Sequence, residues 1–366
     1  MSRHLVLVGG GHAHLPVLQA TAGFVGRGHR VTLISPASHH YYSGMGPGLL
    51  GGFYDPPQVR FDVRETVTAQ GGQFIEDRVE RIEAAKRTLY LASGRSLTYD
   101  IVSFNVGSDV PEGPFDFARP EQIPVKPIEN LEAARRSLLD RLAEPLDLLV
   151  IGGGPAGVEI AGNLQGLITR HGGRAQVTLV AGGRLLADAH ERARGMAFES
   201  LHRRGIKIRE ETRAEEIEKK AAHLSDGTRQ SFDLAFVATG VTPPALFTES
   251  HLPVAADGGL RVNAHLQSVT FPDIFGAGDC IHFDPQPLAR VGVHAVRQSE
   301  VLLHNLQAAL AGTSYEIYRP QHSYMLILNM GDGTGVLSRG RFTFNGERAF
   351  RLKDYIDRRF MRRFRP

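Results

Sequence analysis

The chain runs through one pattern of apolar and polar positions twice. HLVLVGGGHAHL (His4 to Leu15) returns as LLVIGGGPAGVEIAGNL (Leu148 to Leu164), and RVTLIS (Arg30 to Ser35) returns as QVTLVA (Gln176 to Ala181). RIEAAKRTLYLASGRSLTYD (Arg81 to Asp100) is echoed by EIEKKAAHLSDGTRQSFD (Glu216 to Asp233), and DIVSFNVGS (Asp100 to Ser108) by DLAFVATGV (Asp233 to Val241). A strand covered on both faces has no polar side, so short uniformly apolar runs between helical stretches predict parallel βαβ units. Each half reads as strand, glycine turn, helix, strand, β-hairpin and a buried strand ending in glycine.

Two such halves predict an α/β protein with two Rossmann-like, doubly wound dinucleotide-binding domains. FPDIFGAGDC, following Val241 and a proline-rich loop, reads as a returning strand of the first half, so the second domain is inserted in the first. Pro111 to Pro127 marks the outward crossing. The expected division is 1–120 and 241–315 for the first domain, 121–240 for the second, and a small α+β segment at 316–366.

Each glycine loop follows a strand and opens a helix, the context a dinucleotide turn requires. In the first, Gly9 permits the turn and Gly11 lets the backbone approach a pyrophosphate at the helix N-terminus. The third glycine position holds His14, and the strand end that usually carries a ribose-binding acid holds Ser35. The second loop is complete, with Gly152, Gly154 and Gly157, then Glu159. Its strand end is Ala181, so no carboxylate favours NADH over NADPH. Arg184 is placed either to meet a 2′-phosphate or to sit in a solvated loop.

LQSVTFPDIFGAGDC (Leu266 to Cys280) is more specific than either loop, because a strand there delivers Gly278 and Asp279, whose carboxylate can accept from ribityl hydroxyls. The helix that follows begins near His294 and Ala295, and its N-terminus can point at a flavin carbonyl. With the twin GGG loops and the ATG ending at Gly240, these residues resemble the FAD-dependent pyridine nucleotide-disulfide oxidoreductase superfamily. The resemblance is nearer to type II NADH dehydrogenases and sulfide:quinone reductases. Through YSGMGPGLLGG (Tyr42 to Gly52), HAVRQ, YRPQ and KDYIDRRFM, the chain is similar to the oxidoreductase domain found alone or fused to selenophosphate synthetase.

The resemblance implies FAD in the first domain and NADH or NADPH in the second. It places Pro47 beside the flavin ring, Glu159 near nicotinamide and flavin, and Gln298 as the remnant of the quinone-side AQxAxQ motif. Glu159 and Gln298 are the catalytic candidates; His12, Val79 and Gly107 complete the cofactor-binding set. The superfamily's cysteine pair, expected around Tyr42 to Leu49, is missing. Cys280 is the one cysteine, so an internal redox disulfide is impossible. The histidines at 12, 14, 39 and 40 lie in loops of a dinucleotide fold, and no metal is expected.

Composition changes this picture at one end. Between Arg339 and Pro366 stand ten basic and three acidic residues, leaving 32 basic against 36 acidic elsewhere, so the excess positive charge of this +3 chain sits in its tail. There Leu352, Ile356, Phe360 and Phe364 recur at i, i+4, with Tyr355 beside them, and predict an apolar helical stripe. Two readings stay open: a basic helix on the inner face of an anionic membrane, or a helix docked on the flavin domain or in a homodimer. No apolar run reaches ~18 residues, and a strand starts at His4, so a cytoplasmic protein is expected. Nucleic acid is not expected as a partner.

The expected function is hydride transfer from NAD(P)H to FAD and electron delivery to a quinone or another small acceptor without a disulfide. The alternatives are a partner-dependent flavoprotein of selenium metabolism and a redox sensor with little turnover.

Overall fold

A computed structural model describes residues 2–321 and 323–365. Two five-stranded parallel sheets organise it. In the first, the order is Ile274–Gly276, Ile101–Phe104, His4–Val8, Arg30–Ser35, Gln73–Glu76. In the second, it is Gln122–Pro124, Leu234–Val237, Pro145–Ile151, Arg174–Val180, Lys207–Arg209. The chain leaves the first sheet after Phe104, builds the whole second sheet, and returns at Ile274, so the second unit is inserted in the first.

The apolar runs form the strands because both faces of each are covered. Leu5, Val6 and Leu7 are wholly buried, as are Leu149, Val150, Ala235, Phe236 and Val237. At about 1.5–3 kcal/mol per buried large side chain, these runs supply the main drive for each core. Each sheet also carries a three-stranded antiparallel appendage, at Val79–Glu83, Thr88–Leu91 and Ser96–Thr98 and at Ala214–Ile217, Ala221–Leu224 and Arg229–Ser231.

The C-terminal segment forms an antiparallel sheet, Leu326–Asn329, Gly335–Arg339 and Phe342–Gly346, under the helix Glu347–Arg363. This unit is seated on the helix Pro155–Arg170, where a side chain at Gly162 would put its Cβ 2.5 Å from the Met330 carbonyl oxygen. On its other side it meets the loop that follows the second strand.

The predicted stripe on the last helix is corrected. Leu352, Tyr355 and Ile356 are 37%, 55% and 36% exposed, whereas Phe364 is buried and Phe360 half-buried against His12, Tyr42 and Phe61. The buried row is Ala349, Lys353, Asp357 and Met361. The buried row has the same i+4 spacing as the predicted one and lies one residue, about 100°, round the helix from it, so the spacing alone does not say which row is covered.

Candidate functional site: two glycine loops and a buried ion pair

Strand His4–Val8 ends in Gly9, whose φ of +86° suits glycine, and its N–H donates to the Ile34 carbonyl at 2.8 Å. The Gly11 N–H donates to the Asn105 carbonyl at 3.3 Å, and a side chain at Gly11 would strike that of Asn105. Asn105 is buried; its Oδ1 accepts from the Ala13 N–H at 2.9 Å and its Nδ2 donates to the Ala277 carbonyl at 2.6 Å. One amide thus fastens the first glycine loop to the GAGD turn.

His14, in the third glycine position, is fully buried and lies 2.6 Å by Nδ1 from the Gly9 carbonyl and 2.9 Å by Nε2 from the Ser103 hydroxyl. Burial pushes its imidazole down to about 4, so the ring is neutral, with Nδ1–H donating to Gly9 and Nε2 accepting from Ser103. His12 is neutral too, lowered to about 4 by burial and then by the charge of Lys126. Its Nδ1 is 3.2 Å from Nε2 of His40, and its own Nε2 is buried without a hydrogen-bond partner among the described residues. Among the described residues, no group of three or more His, Cys, Asp or Glu is arranged around a common metal position.

Gly278 has φ +75°, and its N–H donates to Oε1 of buried Gln298 at 2.7 Å. Gln298 thereby sets the turn that presents Asp279. The Asp279 Oδ2 accepts from Nζ of Lys126 at 2.8 Å and from the Ser108 hydroxyl at 2.9 Å. A Cβ built on Gly107 or on Gly240 would meet no atom within 4 Å, so both glycines border open space beside these loops. Ala295 packs at Gly278, and His294 Nδ1 lies 3.3 Å from the Tyr318 hydroxyl, both in the first turn of the helix Gly292–Ala311. Ser35 ends its strand buried, and Val79 opens its hairpin buried.

In the second loop, Gly152 has φ +131°, and its carbonyl leaves no room for a side chain at Gly157. Gly154 caps the helix Pro155–Arg170 and borders open space. The strand end at Ala181 is buried beneath Gly153. Arg184 donates through Nη2 to both oxygens of Glu191, at 2.8 and 3.1 Å.

A buried polar group joins the parts. Pro47 lies buried in the first turn of the short helix Gly46–Leu50, which abuts the helix Pro155–Arg170. From that second helix Glu159 accepts from the Asn329 N–H at 2.7 Å, and burial pushes its carboxyl up to about 7 against the opposing pull of Lys353. Lys353 and Asp357, one turn apart, pair at 2.8 Å; Lys353 also donates to the Gly44 carbonyl at 2.7 Å, and the Tyr42 hydroxyl donates to Asp357 at 3.1 Å. Despite burial, the facing carboxylates raise the Lys353 pKa, and the ammonium stays charged. Cys280 is fully buried, with its thiol pushed up to about 12 by burial, and is inert as a thiolate.

Sequence reasoning missed Asn105, Lys126, Asn329 and the Lys353–Asp357 pair as site residues. Lys126 carried a faint signal, standing between two prolines at the domain crossing.

Twin parallel-sheet units, each with a glycine turn between its first strand and the helix that follows, define the architecture of the pyridine nucleotide oxidoreductases. The chain belongs to the pyridine nucleotide-disulphide oxidoreductase family, whose sequence profile matches residues 3–299. It is 25% identical over 317 residues to ferroptosis suppressor protein 1 of Taeniopygia guttata, covering 83% of this chain and 80% of that one. It is 24% identical to the oxidoreductase ptaL of Pestalotiopsis fici, covering 94% and 93%. In fold it resembles the sulfide:quinone oxidoreductase of Aquifex aeolicus, with TM-score 0.82, 17% identity and coverage of 99% and 91%. It also resembles NDH2 of Plasmodium falciparum in complex with NADH, with TM-score 0.81, 15% identity and coverage of 100% and 99%. The chain is an oxidoreductase that works with a pyridine nucleotide. Among the described residues, no helix is long and apolar enough to cross a membrane.

Proposed function

We propose that this chain is an FAD-dependent NAD(P)H oxidoreductase that reduces a quinone or similar small acceptor with no redox disulfide. Residues 1–120 and 241–315 form the FAD half, 121–240 the NAD(P)H half, and 316–366 the acceptor side. The residues present fit FAD. Gly9 and Gly11 bring bare backbone to the pyrophosphate position, Gly107 borders free space, Asp279 offers Oδ1 to ribityl hydroxyls, and the buried His12 Nε2 has no partner among the described residues to compete with a ligand. Bound there, FAD would supply two-electron transfer between nicotinamide and acceptor.

The chain's own residues bind, orient and manage protons. Gly152, Gly154 and Gly157 allow a second pyrophosphate to approach the helix N-terminus. Gln298 holds the turn that aims Asp279, and Lys126 holds the carboxylate itself.

Glu159 carries the functional reading. Reducing a quinone to a quinol takes two electrons and two protons, and a hydride brings two electrons with one proton, so the site must add one more. A carboxyl near 7 holds that proton at neutral pH and can release it. The charge left on Glu159 is then stabilised by Lys353. The loop Tyr42 to Leu49, where a thiol relay would stand, offers none, and Cys280 is sealed in the core.

The exposed face of the last helix supports an anionic membrane surface as the place where a lipid-soluble acceptor is met. Leu352, Tyr355 and Ile356 stand out from it among exposed Arg351, Arg359 and Arg362.

Anaerobic addition of NADH or NADPH to the purified holoprotein tests the core of the reading. Rapid bleaching of the flavin band, restored by a short-chain quinone, is expected. A band unchanged by either nucleotide overturns the donor, and a bleached band that quinone leaves bleached overturns the acceptor.

A further inference from the structure

We infer that Arg213, and not Arg184, selects the nicotinamide nucleotide by receiving a 2′-phosphate at the end of the strand Arg174–Val180, so that the chain favours NADPH. The inference rests on the reading that the second glycine loop binds this nucleotide. In such a loop the adenosine ribose lies over the end of the second strand, and the side chains there read its 2′ position.

At that place the structure sets out a small, well-tethered platform. Ala181 and Gly182 contribute no polar side chain. The segment after the strand Lys207–Arg209 runs alongside: the Ala181 N–H donates to the Arg209 carbonyl at 2.8 Å, Thr212 N–H to the Ala181 carbonyl at 2.9 Å, and Glu211 N–H to the Gly183 carbonyl at 3.2 Å. The Leu186 N–H ties the far end to the Gly153 carbonyl at 2.7 Å, inside the glycine loop itself. These bonds lay the stem of Arg213 directly on Gly182: a Cβ at Gly182 would sit 2.8 Å from the Arg213 Cγ and 3.3 Å from its Nε.

The charges then sort themselves. Arg184 spends its guanidinium on both oxygens of Glu191. Arg194 is engaged in the same way by Glu210, at 2.7 Å to each oxygen. Arg213 is exposed and, among the described residues, has no carboxylate within ion-pairing distance. A guanidinium that is free, anchored by its stem and beside the ribose position matches a phosphate monoester in charge and fork geometry. Glu211, exposed in the same segment and without an ion-pair partner among the described residues, is the group that would serve a free 2′-hydroxyl instead.

Titration calorimetry of the holoprotein with 2′,5′-ADP and with ADP separates these cases without any redox step. The expected result is that 2′,5′-ADP binds about tenfold or more tighter, which is about 1.4 kcal/mol. Arg213→Ala should bring the ratio near one, Arg213→Lys should keep part of it, and Arg184→Ala should leave it within about twofold. Equal binding of the two probes by the wild type, or a preference that survives Arg213→Ala, overturns the inference. So does tighter binding of ADP that is lost in Glu211→Gln. Flavin that fails to bleach in a protein whose 2′,5′-ADP preference depends on Arg213 counts against the hydride reading and leaves this one standing. Circular dichroism of each variant checks that the exposed substitutions leave the fold intact.

Discussion

Lys126 holds Asp279 at 2.8 Å across 153 positions of chain, bridging the crossing into the second domain and the returning strand of the first. The carboxylate arrives at its place already paired and aimed. Asp279→Ala is expected to yield folded protein with little FAD, since a hydrogen bond to a charged group is worth about 1.5–3 kcal/mol and the variant also leaves Lys126 without its partner. The ratio of flavin to protein absorbance after purification measures it; full occupancy would contradict the assignment.

Glu159 should impose a pH dependence. Its folded pKa, about 7, lies above the ordinary 4.5, so the folded protein holds a proton that the unfolded chain releases. The stability from this group is fully present below pH 4.5 and is lost as pH rises through 7. Urea midpoints should therefore fall between pH 5 and pH 8 in the wild type, and fall less in Glu159→Gln. Quinone turnover in that variant should lose its limb near neutral pH while flavin reduction by nicotinamide persists. Identical pH profiles for the two proteins would remove Glu159 as proton donor.

The Lys353–Asp357 pair predicts a double-mutant result. Lys353→Met leaves a buried carboxylate uncompensated and should cost about 3–5 kcal/mol of stability. Adding Asp357→Leu should recover much of that loss, because no buried charge of the pair remains and the Tyr42 hydroxyl and the Gly44 carbonyl are the neutral groups left seeking a partner. Denaturant midpoints of the two singles and the double give the coupling; simple additivity would show that the pair does not act as a unit.

The exposed helix face predicts salt-sensitive membrane binding. Sedimentation with vesicles containing anionic lipid should weaken as salt rises, since surface charges are screened within about 8–10 Å at physiological strength. Replacing Leu352, Tyr355 and Ile356 with Ser should abolish binding without loss of FAD. If the variant instead turns a dimer into a monomer, the face is a protein interface. Phe360 and Phe364 must be left in place, because they pack on His12, Tyr42 and Phe61.

Much of the architecture was legible because its signals are local. Both parallel sheets, the two hairpin appendages, the returning strand at Ile274–Gly276 and the helix Gly292–Ala311 could be read from runs of a few residues. Glycines announced the turns, since φ of +86° at Gly9 and +131° at Gly152 are conformations other residues resist. The last helix was legible as a helix, and its faces were not. Neighbouring i, i+4 rows share one spacing and differ only in which side of the cylinder they occupy, so which row is covered depends on what lies against it.

By itself the sequence determined the class of fold, the doubling, the insertion and the positions of both glycine turns, because hydrophobic period and backbone freedom act over a few neighbours. It also excluded an internal disulfide, by having one cysteine. Tertiary structure alone decided that Asn105 links two loops, that Lys126 meets Asp279, that Glu159 lies beside Lys353, and that Arg184 pairs with Glu191 while Arg213 has no ion-pair partner among the described residues. Those relations join residues tens to hundreds of positions apart. Electrostatic and hydrogen-bond energies depend on distance and burial in space, which no local pattern along the chain encodes.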